Sequence, residues 1–267
     1  MAISNGELYT IVTNKAAHGK KKALVAIVSG TKASDVVAVL EKIPDRDRSI
    51  VRETTLDMSP AMESIIRTAF PSSSLVTDRF HVQQLVSEAV QEIRITLRRE
   101  ALKEENEAIK ICRKEKRRYE PITFENGDTK KQLLARSHLL LFKPESKWTE
   151  SQKRRSDIVF REFPSLKEAY TLSMMFRSCY ENSQSISEAK ERFEKWYAKV
   201  EEKQIESFRV AADSIRLHET TILNYFMYRS TNASAESFNA KLKGFRSVVR
   251  GVRDKKFFLF RIAMLYS

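Results

Sequence analysis

Apolar and polar positions alternate in short stretches over the first eighty residues, a pattern that predicts strands and helices built around one sheet. Apolar, β-branched runs of strand type occupy residues 7–12, 23–28, 49–56 and 74–77. A helix capped by Thr31 or Ser34 follows the second run and ends at Pro44. Another helix, with Ser59 as N-cap and Pro60 at its first position, follows the third run. This order indicates a mixed α/β sheet.

The dipeptide Asn5-Gly6 precedes the first apolar run and is a strong signal for a two-residue hairpin turn. Both central residues of a type I′ turn adopt positive φ, which asparagine and glycine tolerate best. A hairpin needs a strand on each side, and only residues 1–4 precede the turn. We therefore expect the first strand of the sheet to begin before Met1.

The pattern changes at His81, where helical spacing replaces the strand signals. Apolar positions recur at intervals near 3.6 over residues 81–119, 133–142, 151–163, 166–180, 187–200 and 205–228. The sequence therefore predicts three segments: an α/β part over residues 1–82, an all-helical block over 83–230, and further helices over 231–267.

The net charge of the chain indicates the class of molecule that it binds. The net charge is +13, with 31% charged residues, which favours an anionic partner and most often nucleic acid. Cys112 and Cys179 lie far apart without C-x-x-C spacing, which argues against a disulfide framework and a structural zinc site. No apolar run approaches the length of a membrane span, and the N-terminus lacks the features of a signal peptide, so we expect a cytoplasmic protein.

Two aspartates occupy equivalent places in the predicted sheet, since Asp57 and Asp78 each end a strand and precede a helix. In open α/β sheets, functional sites gather at the carboxyl ends of strands. Two carboxylates there could hold Mg²⁺, which prefers carboxylate and phosphate oxygens. The alternative is that both are turn or cap residues. His81, three residues after Asp78, is a candidate metal ligand, proton shuttle or packed structural residue.

A third candidate region is an amphipathic helix within residues 231–251, capped by Asn232 or Ser234. Its apolar face carries Phe238, Leu242, Phe245 and Val249, and its polar face carries Glu236, Asn239, Lys243, Arg246 and Arg250. A glutamate in the first turn suits the helix dipole. The same pattern is also typical of a metal-binding carboxylate followed by cations that contact phosphates, and composition does not decide between the two.

The motifs DRFH at 78–81 and NASAESFN at 232–239, within longer similar segments and in this order, resemble the ISL-three family of bacterial insertion-sequence transposases. The resemblance covers nearly the whole chain. It implies a DDE transposase with an RNase H-like catalytic core, split by an all-helical insertion before the helix of the catalytic glutamate. The implied cofactors are two Mg²⁺ or Mn²⁺ ions. The implied partner is DNA, both transposon ends and target, bound by an oligomer in the bacterial nucleoid.

By this resemblance Asp57 matches the second catalytic aspartate and Glu236 the catalytic glutamate, both as metal ligands. Asp78 and His81 match an accessory motif that supports the active site, and Asn239 belongs to the same pattern as Glu236. The DNA-binding candidates are five cations of the C-terminal region: Lys241, Lys243, Arg246, Arg250 and Arg253. Lys20–Lys22 form a second candidate patch.

The chain departs from the family pattern at its start. The first catalytic aspartate of the family lies on a strand before the segment matching residues 2–10, and the zinc-binding and helix-turn-helix regions also precede it. The sequence therefore predicts a truncated transposase that cleaves and joins DNA poorly or not at all. The alternatives are a non-catalytic DNA-binding or assembly remnant and, much less favoured by the +13 charge, a metallohydrolase acting on small molecules.

Overall fold

A computed structural model describes residues 2–4, 7–18, 20–229, 233–248 and 254–266 of the chain. These residues form two compact units. The first unit comprises Met1–His81 together with Thr220–Ser267, and the second comprises Val82–Glu219. Strands lie in the first unit and the second is helical, so the fold is mixed α/β with helix predominating.

The described strands form two small sheets in the first unit. The strands are β1 (Ala2–Ser4), β2 (Glu7–Thr13), β3 (Leu24–Ser29), β4 (Glu53–Leu56) and β5 (Ser74–Thr77). The first three are antiparallel in the order β1-β2-β3, as the hairpin signal at Asn5-Gly6 predicts, although those two residues lie outside the described part. The other two pair in parallel, with Leu56 opposite Thr77.

The expected single sheet is therefore divided among the described residues into a three-stranded and a two-stranded sheet. β1 is three residues long and pairs only with the start of β2, so it does not reach β4. The third predicted strand is also shorter than expected. Asp45–Ser49 forms a helix in which Arg48 Nη1 donates to the carbonyl of Ala69 at 2.8 Å, so the strand begins only at Glu53.

Helices account for most of the chain. In chain order they are α1 (Ala33–Leu40), α2 (Asp45–Ser49), α3 (Pro60–Ala69), α4 (Arg79–Lys114), α5 (Lys130–Arg136), α6 (Glu150–Glu162), α7 (Pro164–Asn182), α8 (Ile186–Lys203), α9 (Glu206–Leu217), α10 (Glu219–Leu223), α11 (Tyr225–Tyr228), α12 (Ala233–Val248) and α13 (Lys255–Tyr266). Within the described residues, none of these helices combines the length and apolar character needed to span a bilayer.

Helix caps agree with the sequence at one predicted start and differ at another. Ser59 accepts the backbone N–H of Met62, and Pro60 occupies the first turn of α3, as predicted. At α1 the N-cap is Lys32 without a side-chain cap, so the prediction of Thr31 or Ser34 was wrong. The Ser34 hydroxyl donates instead to the neighbouring Asp35 carboxylate at 3.0 Å, which leaves the first turn uncapped by a side chain.

The three-stranded sheet carries helices on both faces. One face packs Tyr9 and Leu24 against Phe238 of α12 and Phe258 of α13. The other face places Val28 against α1 and α3 in a separate cluster, whose members are Val28, Val36, Leu40, Ile65, Ala69 and Phe70. Side chains alternate along β2, which puts Tyr9 on one face and Val12 on the other. In β3 the register shift opposite Val12 and Thr13 reverses the alternation, so Leu24 and Val28 face opposite sides although they are four residues apart.

The helical unit has an aromatic core. Trp196 of α8 is fully buried, and its indole Nε1 donates to the carbonyl of Leu172 in α7 at 2.9 Å. The Phe176 ring lies 4.7 Å from the Trp196 ring, centroid to centroid, and also stacks on Phe193. These contacts make Trp196 a core residue of the helical unit.

The thiol of Cys179 lies inside this helical core, so we expect it to be inert. The side chain is buried, and burial raises the pKa of the thiol to about 12. At pH 8 only about one thiol in 10⁴ would be ionised, and the thiolate is the reactive species. We expect no labelling of Cys179 by a thiol reagent at pH 8 in the native chain.

Mass spectrometry of the labelled chain measures this prediction directly. A Ser151→Cys variant supplies a matched positive control, because Ser151 is exposed at the start of α6. Labelling of Cys179 at the rate of the introduced cysteine would contradict the burial that the structure assigns to it.

Candidate metal centre

The first part of the candidate site lies where β5 ends and α4 begins. β5 ends at Thr77, Asp78 follows, and α4 starts at Arg79. The backbone N–H of Asp78 donates to the carbonyl of Leu56 at 2.8 Å, which extends the parallel ladder by one residue. His81 lies one helical turn after Asp78, so the two side chains meet at the first turn of α4.

Polar contacts hold the segment before α12 against β5. The Thr221 and Thr77 hydroxyl oxygens are 2.7 Å apart, and the Asn224 amide Nδ2 donates to the carbonyl of Leu75 at 2.8 Å. Residues 205–228, predicted as one helix, are accordingly divided into α9, α10 and α11. These bonds return the chain to the first unit shortly before the residues that contain Glu236.

Packing of α12 on the three-stranded sheet sets the position of Glu236. Phe238 and Leu242 are fully buried on the same side of the helix, against Tyr9 of β2. Glu236 lies about 140° around the helix axis from the middle of these two residues, at 100° per residue. The predicted apolar face is therefore the packing face, and the glutamate is exposed on the other side.

The structure brings together three of the sequence-predicted residues. One ligand atom from each of Asp78, His81 and Glu236 lies within 4.8 Å of the other two. Asp78 is 1% exposed, His81 is half-buried and Glu236 is exposed. His81 Nδ1 lies 3.2 Å from Asp78 Oδ2. The group thus opens from a buried carboxylate towards an exposed one.

The donor set of this group fits a divalent cation. Two carboxylates supply the oxygen ligands that hard cations require, and an imidazole adds a nitrogen ligand suited to transition-metal ions. The contact between Asp78 and His81 also orients the imidazole, because a carboxylate that accepts the Nδ1 proton leaves Nε2 as the ligand atom. Asp78 can therefore act as a ligand itself or as the group that positions His81.

Asp57 lies at the same edge of the two-stranded sheet but outside this group. It follows β4 as Asp78 follows β5, its side chain is exposed, and its carbonyl accepts the Ser59 N–H at 2.8 Å. Among the described residues, the metal-ligating group of three has Asp78 in it and not Asp57. Glu236 therefore lies beside Asp78 and His81, the motif to which the family resemblance assigns an accessory role.

Asn239 lies one turn after Glu236 on the same side of α12. Its side-chain oxygen Oδ1 is buried and accepts no hydrogen bond from a described residue. A buried acceptor without a donor is unfavourable unless a ligand or water satisfies it. Asn239 Oδ1 is therefore an acceptor available one turn from Glu236.

The predicted DNA-binding cations that the structure describes lie on different sides of α12. Lys243 is exposed and lies two turns from Glu236 on the same side, whereas Lys241 is exposed about 140° away around the helix. The Arg246 guanidinium lies 4.8 Å from the centroid of the buried Phe258 ring, so it also packs against α13. Arg250 and Arg253 lie outside the described residues, as do Val249 and Asn232.

The convergence of Asp78, His81 and Glu236 was not predicted from residue spacing. The available signal was the D-x-x-H spacing at the start of a helix, which places both side chains on one side of its first turn. The partner from α12 is distant in sequence, and only the packing of that helix on β2 brings it close.

Comparison with known proteins adds the family. A family model described as a transposase, of the DDE type and the ISL-three group, matches residues 1–262. The matched segment contains Asp57, Asp78, His81, Glu236 and Asn239, so every described site residue lies within it. No curated protein and no solved structure matches the chain.

Proposed function

Because this chain belongs to the ISL-three family of DDE transposases, we propose that it is the catalytic region of an insertion-sequence transposase. Its substrate would be DNA, at the transposon ends and the target, and its reaction would be metal-dependent strand cleavage and transfer. The proposed ions are Mg²⁺ or Mn²⁺, two in the intact family site.

One observation carries the proposal: Glu236 meets the Asp78–His81 motif from a distant part of the chain, with ligand atoms within 4.8 Å. A glutamate in the first turn of a helix needs no such neighbours if it only complements the helix dipole. Asp78 is almost completely buried at the end of a strand, whereas an ordinary turn residue would be exposed to solvent. The group therefore favours a metal site over two unrelated caps.

Divalent ions held by these carboxylates would activate water or a 3′-hydroxyl and stabilise the leaving oxygen in an in-line displacement. Within this chain, Glu236 and Asp57 are the proposed carboxylate ligands of the family site. Asp78 holds His81 through Nδ1, which positions Nε2 to bind an ion or to carry a proton near the exposed carboxylate of Glu236. Asn239 Oδ1 offers a further acceptor on the same side of α12.

The proposed core is RNase H-like. The antiparallel order β1-β2-β3, the parallel pair β4-β5 and the helices on both faces of the larger sheet support this assignment. We further propose that the helical unit is the family insertion, that Lys241, Lys243 and Arg246 contact DNA phosphates together with Arg250 and Arg253, and that the protein acts as an oligomer on DNA.

We expect the chain to bind duplex DNA through these cations. The double variant Lys241→Gln, Lys243→Gln removes two of these cations. It should lower the steepness of the slope of log K against log salt by about 1 to 2, because each phosphate contact contributes about 0.9 to that slope. Fluorescence anisotropy measures binding, and relaxation of supercoiled plasmid measures nicking.

The matched control for binding is Lys32→Gln with Lys42→Gln, two exposed lysines of the same unit just before and just after α1. This variant should keep the salt slope of the unaltered chain. Absence of DNA binding by the unaltered chain would refute the proposed function. Mg²⁺-dependent nicking that Asp57→Ala abolishes would support metal-dependent cleavage by the proposed site.

A second candidate is a non-catalytic DNA-binding and assembly module. The position of Asp57 outside the group of three ligands favours it, because a family site would join that aspartate to Glu236. The two candidates differ in metal binding, which the module does not need.

A further inference from the structure

A row of cations follows the outward side of α4 in the helical unit. Its members, defined here as the α4 stripe, are all exposed: Arg99, Lys103, Lys110, Arg113 and Lys114. At 100° and about 1.5 Å per residue they fall within an arc of about 100° and span about 22 Å along the helix. The buried residues Ala101 and Cys112 lie on the opposite side, so the stripe faces solvent.

Nearby carboxylates are distributed unevenly around α4. Glu104 accepts an ion pair from Lys130 Nζ at 2.7 Å, and Glu105 accepts one from Lys131 Nζ at 2.6 Å. Both lysines belong to α5, so these two acids are neutralised on the side of the helix that faces its own unit. Glu107 borders the stripe and bonds Lys110 Nζ at 2.8 Å. Glu107 also interacts with Lys103, and the exposed Glu100 lies on the same border. Five stripe cations therefore lie beside two bordering carboxylates, and the stripe keeps a net positive charge.

This excess charge is unfavourable for the isolated helix. Arg99 and Lys103 are four residues apart, as are Lys110 and Lys114, and like charges at this spacing destabilise a helix. Arg99, Arg113 and Lys114 make no ion pair with another described residue. A partner that brings a row of negative charges would remove this repulsion and release its own counterions.

We propose that the α4 stripe binds the phosphate backbone of duplex DNA, as a second DNA contact separate from α12. Arg99, Lys103, Lys110 and Arg113 follow one another at intervals of one or two helical turns, so several side chains can reach phosphates of one strand. Contacts of this kind fix position and carry no base specificity. The inference rests on the proposed function only in taking DNA as the partner, and it uses neither the metal site nor Lys241 and Lys243.

The test is the salt dependence of DNA binding by the full chain in EDTA, measured by anisotropy with a fluorescent duplex. The stripe variant combines four substitutions, Arg99→Gln, Lys103→Gln, Lys110→Gln and Arg113→Gln. Glutamine keeps a high helix propensity, so α4 should persist, and circular dichroism checks this. We expect the slope of log K against log salt to fall by about 3 to 4, at about 0.9 for each lost phosphate contact.

A matched variant removes the same number and type of charges from exposed positions elsewhere in the helical unit: Arg154→Gln, Lys190→Gln, Lys195→Gln and Arg209→Gln. It should lower the slope by less than one contact. An unchanged slope in the stripe variant, or an equal fall in the two variants, overturns the inference. Failure of the proposed function is distinguishable, because the unaltered chain would then bind no DNA at all.

Discussion

Glu236→Gln is expected to weaken the binding of Mn²⁺ to this chain by about 100-fold or more. The substitution keeps the size of the side chain but removes the exposed negative charge from the group formed with Asp78 and His81. Loss of a residue that merely supports a metal ligand typically costs about 10- to 100-fold in affinity, so loss of a ligand should cost at least as much. Isothermal titration calorimetry and the signal of free Mn²⁺ in electron paramagnetic resonance both measure this affinity without requiring DNA cleavage.

Two further variants sharpen this experiment. Glu41→Gln removes an exposed carboxylate from the same unit, just after α1, and should leave the Mn²⁺ affinity unchanged. His81→Gln should weaken binding as well, because the imidazole is either a ligand or tied to one through the 3.2 Å contact with Asp78. Equal Mn²⁺ affinity of the Glu236→Gln and unaltered chains would remove the metal site and leave the non-catalytic DNA-binding module as the better proposal.

Trp196→Ala is expected to destabilise the helical unit by about 3–5 kcal/mol, the range for removing a large aromatic side chain from a packed core. The indole is fully buried, packs against Phe176 and Tyr197, and donates a hydrogen bond to the carbonyl of Leu172. The substitution therefore leaves a cavity and removes the hydrogen bond that the Leu172 carbonyl accepts in addition to its helical one. Urea unfolding of the full chain, followed by circular dichroism at a helical wavelength, measures the loss.

The matched control is Ile122→Ala, which truncates an apolar side chain that is 90% exposed in the same unit. Surface substitutions of this kind usually change the free energy of unfolding by about 0.5 kcal/mol or less. A loss of similar size in both variants would mean that Trp196 does not pack in the core. The stability of the helical unit against urea would then depend on other residues.

The sequence predicted several local features because neighbouring residues decide them. Ser59 with Pro60 sets the start of α3, and alternation of apolar residues sets β2 and β3. The long helical stretch from His81 was also predicted, although the break of residues 205–228 into three helices was not. That break depends on hydrogen bonds from Thr221 and Asn224 to β5, which are about 145 residues away in the chain.

At the candidate site, too, local sequence patterns predicted some features, and the packing of distant segments decided others. The resemblance identified Asp57, Asp78, His81 and Glu236 as functional positions, and the helical period assigned Phe238 and Leu242 to the packing face of α12. No local pattern could show which carboxylate would lie nearest to Glu236. The packing of α12 against Tyr9 brings that glutamate to the Asp78–His81 motif, whereas Asp57 leaves the neighbouring strand with its side chain in solvent.

By itself, the sequence determined the local setting of the candidate site residues, because strand alternation, helix period and capping depend on positions a few residues apart. It also determined the excess of positive charge. The tertiary structure decided which of these residues meet and which charges remain exposed, since contacts between distant segments depend on how helices pack on the sheet and on one another. The group of Asp78, His81 and Glu236 and the α4 stripe are both products of that packing.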